Sequence, residues 1–218
     1  MARKIKTKSD RLEEEELIKI LSMPDKRAKQ GFRDFIILRM LADTGMRKGE
    51  LVRLKIENII DFEGGKAVYF ESLKKRKIHR KQEFKEKIIK RLVPLREDMV
   101  ELLNKYLKCE YGANYAEDKS RPLFRTLGKY GRDKDNKKGI TAKVVDDVVY
   151  KYFKLAGINK HITPHSFRST FASHLLIDKG VDVETVREML GHFSLASTQV
   201  YLMSSDRKKL QAIKSLKY

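Results

Sequence analysis

The chain has 218 residues, 41% of them hydrophobic, which is enough apolar material for one large or two small domains and excludes disorder as the dominant state. Its 49 Lys+Arg against 30 Asp+Glu give a net charge of +19, which calls for an anionic partner: nucleic acid first, then membrane surfaces or heparin-like polymers. The single Cys109 excludes an internal disulfide or a Cys-based zinc site, and no apolar run approaches the ~20 residues of a membrane span, so a reducing, intracellular setting is expected.

In chain order the pattern is mostly helical. Ser9-Asp10 can cap a helix whose apolar residues Leu12, Leu17, Ile20 and Leu21 stop before Pro24. A longer helix is expected from about Asp25 to Gly45, burying Phe32, Phe35, Ile36, Met40 and Leu41, and a short one from Arg47 to about Leu54. The period then changes to that of strands. Ile59–Phe62 and Lys66–Ser72 flank Glu63-Gly64-Gly65 as a hairpin, and a third strand over Ile88–Val93 ends at Pro94. The basic segment between the second and third strands is too polar to be buried. Helical pattern resumes over Arg96–Lys108, while Glu110–Gly139 lacks a period and is expected to be a loop. Further helices are expected over Thr141–Ala156, from Thr163-Pro164 to Gly180, from Asp182 to Gly191, and in a short stretch carrying Tyr201. A basic tail from Ser204 to Tyr218 places Leu210, Ile213 and Leu216 at helical spacing. The fold class is α+β, mainly α, with a small three-stranded antiparallel sheet.

The charge is concentrated. Residues 74–91 carry ten Lys/Arg against Glu83 and Glu86, and residues 119–138 carry eight against Asp133 and Asp135, so the two stretches hold 14 of the 19 excess charges. One such run is usually solvated surface, but two in a folded chain point to a polyanion-binding face whose phosphate contacts are salt-dependent. Lys75, Arg76, Lys77, Arg80, Lys81, Arg121 and Arg125 are the candidate DNA-binding residues.

Four local patterns could carry chemistry. In Thr44-Gly45-Met46-Arg47-Lys48-Gly49-Glu50-Leu51 an arginine begins a helix with Glu50 one turn later, an anion site or an ordinary i,i+3 ion pair. In Thr163-Pro164-His165-Ser166-Phe167-Arg168 a capped helix presents an imidazole and a guanidinium on one face. Leu190-Gly191-His192 and Tyr201 complete the set; each taken alone is equally compatible with a structural role. Zinc at His165, His174 and His192 is disfavoured by the lack of Cys partners or an HExxH spacing.

Jointly, TGMRKGEL (44–51), TPHSFRSTFASHLL (163–176) and LGHFSLASTQVY (190–201) resemble the catalytic domain of the tyrosine recombinase/integrase family, over residues 10–202. The wording is similar to that of Xer-like recombinases and of archaeal virus or plasmid integrases. The resemblance implies cleavage and rejoining of duplex DNA in the cytoplasm, without metal or ATP. Tyr201 would be the nucleophile and form a 3′-phosphotyrosyl link, and Arg47 and Arg168 would clamp the phosphate. His165 and His192 would assist, and Glu50 would orient its neighbours. The family lysine lies on the turn between the second and third strands. Lys74 is the candidate there, with Lys75 and Lys77 as rivals, and a longer basic insertion replaces the usual glycine-flanked turn.

The family's N-terminal DNA-clamping domain, of about a hundred residues, is expected to be absent, because the first motif begins at residue 44. Weak, salt-sensitive DNA binding would follow. Self-association on DNA, with residues 204–218 in cis or passed to a neighbour, is a further expectation. The alternatives are DNA relaxation of the type IB topoisomerase kind and a catalytically silent DNA-binding regulator. The Lys- and Glu-rich composition with few Asn and Gln is of a kind enriched in thermophiles.

Overall fold

A computed structural model describes residues 11–77, 84–126, 138–192 and 194–201, with side chains at 72–77 and 84–89 outside the description. It has the expected class: helices around one core with a three-stranded antiparallel sheet on one side. No helix among the described residues is long and apolar enough to cross a membrane.

Helix α1 (Glu14–Ser22) opens at Glu13, whose N–H donates to the Glu16 carboxylate at 2.8 Å. The predicted cap, Ser9-Asp10, lies outside the described residues. The helix begins after Leu12, which is buried and donates its N–H to Thr170 Oγ1 at 2.8 Å, tying the strand-like lead-in to a distant helix. Helix α2 (Lys29–Thr44) starts later than Asp25, because Asp25 instead accepts the Arg27 N–H at 3.1 Å and closes a turn. Its buried residues include Phe32, Phe35, Ile36, Met40 and Leu41, and it is the central helix, packed on α1 and on three helices that follow the sheet. After Gly45 and Arg47 comes α3 (Lys48–Leu51), a single turn rather than the longer helix expected.

Strands β1 (Ile59–Phe62), β2 (Gly65–Lys77) and β3 (Phe84–Leu95) form the sheet in the order β1-β2-β3. Both strands of the long hairpin exceed their predicted limits. Residues 74–77 and 84–91 of the basic stretch continue the strands, with Lys74 opposite Lys87 and Lys75 opposite Glu86. Ladder bonds are made by backbone groups, so the polarity that argued against burial did not argue against a strand. Pro94 lies inside β3, opposite Ala67, where an edge strand tolerates a missing N–H.

Helices α4 (Glu97–Tyr111), α5 (Ala142–Leu155), α6 (Pro164–Ser173), α7 (Val183–Leu190) and α8 (Ala196–Gln199) complete the fold, with a π-helical turn at His174–Asp178 after α6. Asp182 caps α7 by accepting the Thr185 N–H at 2.8 Å. The region read as a loop is partly core: Leu123 and Phe124 are buried, Leu123 N–H donates to Leu54 carbonyl at 2.7 Å, and Phe124 packs on Tyr106 at 5.6 Å between ring centroids. Two apolar residues among charged ones are too few to show a period.

Gly45 ends α2 in the left-handed conformation, φ +58°, and a Cβ there would sit 2.5 Å from the Phe171 ring. Gly45→Ala therefore combines backbone strain with overpacking, and should lower unfolding free energy by about 2–4 kcal/mol in urea titration. A loss below about 1 kcal/mol would mean that the α2–α6 contact yields easily.

Candidate active site

The cleft forms where three helix ends meet. Gly45 turns the chain so that Arg47 caps α3, and Thr163 caps α6 with Pro164 in its first turn, its own N–H donating to Ser166 Oγ at 3.1 Å. Arg47, Lys48, Asp146, Thr163, His165 and Arg168 line a cleft of about 290 Å³. Arg47 and His165, 118 positions apart in the sequence, are thereby brought to one surface. With one turn in α3, little helix dipole is available there, so the Arg47 side chain must supply the positive charge.

Arg168 is not a surface residue. It is 1% exposed, and its guanidinium donates to Gly45 carbonyl at 2.8 Å and to Leu190 carbonyl at 2.5 Å. Those bonds use two of five N–H donors. Burial, with repulsion from Arg47 and Arg91, pushes Arg168 down to about 9, while Glu50 and Tyr201 pull the other way. A cation held against such opposition is poised for an anion.

Glu50 is the local counter-charge. One carboxylate oxygen accepts the Arg47 N–H at 2.7 Å and Arg91 Nη2 at 2.5 Å, and the other accepts Arg47 Nη1 at 3.0 Å. Arg91 went unrecognised in the sequence because it sat in a charge run assigned to the DNA-binding surface. It is 6% exposed, lies over the Phe70 ring at 4.3 Å, and donates to Met189 carbonyl at 2.6 Å. Burial pushes it down to about 10, with Glu50 opposing and Arg47 adding to the shift. The signal was available: Arg91, Val93 and Leu95 alternate on one strand face, and the last two are apolar.

His192 and Tyr201 sit beside the cleft. Their rings stack at 6.2 Å with 17° between planes, and His192 Nδ1 is 2.8 Å from Thr198 Oγ1 on α8. Thr198 is fully buried and was not anticipated from the sequence. Arg187 fixes the turn by donating to His192 carbonyl at 2.9 Å. Tyr201 is half-buried just after α8, not within a helix. His174 belongs elsewhere, paired with Asp178 at 3.0 Å along a different groove.

The candidate DNA-binding residues divide. Arg121 pairs with Asp118 at 2.9 Å, and Arg125 is turned inward against Glu110, with Nη2 also donating to Glu110 carbonyl at 2.9 Å. The backbone of Lys74, Lys75, Arg76 and Lys77 lies in β2, so Lys74 stands within a strand, not at the turn; their side chains, with Arg80 and Lys81, lie outside the described residues.

Removal of Glu50 leaves Arg91 buried without a carboxylate. Glu50→Ala should lower unfolding free energy by about 3 kcal/mol or more in urea titration, and a change below about 1 kcal/mol would show that Arg91 finds water or another partner.

Comparison with known proteins places the geometry. Residues 10–208 match the phage integrase family. The tyrosine recombinase XerD of Staphylococcus haemolyticus is 32% identical over 192 residues, covering 88% of this chain and 57% of XerD; that of Staphylococcus aureus strain Mu50 is 30% identical with the same coverage. The chain thus spans little more than half the length of these curated relatives. A crystal structure of XerH bound to palindromic difH substrate in a post-cleavage complex is 27% identical with a TM-score of 0.66, over 98% of this chain and 54% of that one. The XerA recombinase structure, at 24% identity, shares the fold with a TM-score of 0.68 over 100% of this chain and 67% of that one. With its match spanning nearly the whole sequence, the chain belongs to the phage integrase family and carries a tyrosine recombinase catalytic domain.

Proposed function

We propose that this chain cleaves and rejoins duplex DNA, with Tyr201 as nucleophile and Arg47 and Arg168 as the phosphate clamp. The observation that carries the reading is the buried Arg168, fixed by two carbonyls at the floor of a cleft shared with Arg47 and His165. The XerH relative was captured with its DNA substrate after cleavage.

In the forward step the Tyr201 oxygen bonds to phosphorus and the bond to the 5′-oxygen breaks. His165 takes the phenolic proton, and Lys74, or Lys75 or Lys77 in its place, protonates the departing 5′-oxygen. The product is a 3′-phosphotyrosyl link and a free 5′-hydroxyl. One phosphodiester replaces another, so the 5′-hydroxyl can reverse the step without ATP. Charge that builds on the equatorial oxygens is met by two guanidinium forks, with His192 as a further phosphate contact and Glu50 holding Arg47 in place. The basic runs supply the salt-dependent attraction to the duplex backbone.

The same reading includes self-association on DNA through residues 204–218. A groove of about 500 Å³ between α1, α2 and the end of α6 supports it: Leu17, Ile18 and Leu21 line it, Ile18 is 60% exposed, and Glu13 and Glu14 stand beside them. In the sequence of the tail, Leu210, Ile213 and Leu216 stand at helical spacing, which suits the apolar residues of the groove.

On a nicked suicide duplex the native chain should form an SDS-resistant protein–DNA adduct that Tyr201→Phe abolishes. An adduct surviving that substitution would remove the nucleophile assignment, and no adduct under conditions of DNA binding would leave the regulator reading. Deletion of 204–218 should abolish higher-order complexes on DNA in sedimentation while single-copy binding persists; unchanged complexes would exclude the tail.

A further inference from the structure

We propose that Arg91 is a positioning residue of the phosphate site, acting on Arg47 through Glu50 and on Arg168 through the C-terminal end of α7. The proposal rests on the cleft being the phosphodiester-cleaving site. Arg91 comes from β3, away from the cleft lining, and its guanidinium is too deeply buried to meet a substrate.

Two contacts carry the argument. The first is the carboxylate shared by Arg91 and Arg47. Glu50 Oε2 accepts both the Arg91 Nη2 bond and the Arg47 backbone N–H, so Arg91 fixes the rotamer from which Oε1 holds Arg47 Nη1. Without it, Glu50 could follow Arg47 outward into the cleft and neutralise the charge meant for phosphate.

The second contact is at α7. Helix ends leave carbonyls without partners, and here two successive ones are taken by arginines from different elements. Met189 carbonyl accepts from Arg91 on β3, and Leu190 carbonyl accepts from Arg168 on α6. The next residues are Gly191, in the left-handed conformation at φ 61°, and His192. Arg91 thus anchors the turn that carries both the Arg168 acceptor and the histidine stacked on Tyr201.

The surroundings suit a fixed strut. The Phe70 face covers one side of the guanidinium, and Phe70 is the residue opposite Arg91 in the β2–β3 register. The Arg91 Nε is buried with no hydrogen-bond partner among the described residues, a cost that the fold accepts to place Nη1 and Nη2 on Met189 and Glu50.

The test uses the full chain and the suicide duplex. Arg91→Met should slow adduct formation at saturating DNA by about 10–100-fold, as small misplacements of reacting groups do, with duplex Kd within about 3-fold of wild type. In the double variant Glu50→Gln/Arg91→Met the loss should be no greater than in the more damaged single variant, because both act along one path. Arg91→Lys should fold where Arg91→Met fails to, and should still slow cleavage without weakening binding, since one ammonium cannot reproduce the two-pronged contact. Arg91→Met, or Arg91→Lys in its place, cleaving within about 3-fold of wild type, or losses that multiply in the double variant, would overturn the proposal. So would a fall in DNA affinity that accounts for the slowing. A wild-type chain that forms no adduct would instead count against the function itself. Crystal structures then decide the role of Arg91: unchanged Glu50–Arg47 and Arg168–Leu190 contacts in Arg91→Met would overturn it, and their loss would support it.

Discussion

Three guanidinium groups gather around one carboxylate, and this surplus of positive charge is the constraint on which the site depends. Glu50 is bonded to Arg47 and Arg91, while Arg168, which donates to backbone carbonyls, feels the same carboxylate through space. Such a cluster is tolerated only because neutral oxygens carry part of the load. Gly45, Met189 and Leu190 each give a backbone carbonyl, the last two from the negative end of α7. The arrangement holds cations firmly without neutralising them, so the last counter-charge is left to come from a bound anion. Catalysis by preorganised electrostatics has this form: the positive groups are held by the fold before the substrate arrives and need not reorganise when charge develops.

The +19 net charge therefore has two layers. The exposed layer attracts a polyanion over a distance set by ionic strength. The buried layer is a few charges whose positions matter more than their number. Some arginines in the basic runs serve neither purpose: Arg125 locks Glu110 beneath the loop over residues 118–126, and Arg121 pairs with Asp118. Charge counted along the chain overstates the positive charge left for a polyanion, because carboxylates such as Glu110 and Asp118 offset part of it.

Much of this was legible in the sequence. Hydrophobic spacing marks α2, start and stop residues mark α5 and α7, and the three motif segments bring Arg47, His165, Arg168, His192 and Tyr201 to notice. What the sequence obscured depends on how the chain turns back on itself. Arg91 reads as one more basic residue because Glu50 lies 41 residues earlier, and Thr198 carries no signal because its bond to His192 depends on the turn at Gly191. Strand limits failed for a different reason. Backbone ladders continue through charged residues, so β2 and β3 run on past the point where apolar alternation stops.

The bonds that hold the clamp together join residues made at very different times on the ribosome. Arg168 reaches back 123 positions to Gly45, and Arg91 forward 98 positions to Met189. Tyr201 emerges after every one of them. A nascent chain can therefore own the arginines without the carbonyls that seat them, and the seats without the proposed nucleophile. Long-range closure of this kind slows folding, because distant segments must meet before any contact rewards them. It also couples any reactivity to completion: a half-made or locally unfolded chain has no arranged site for the proposed cleavage.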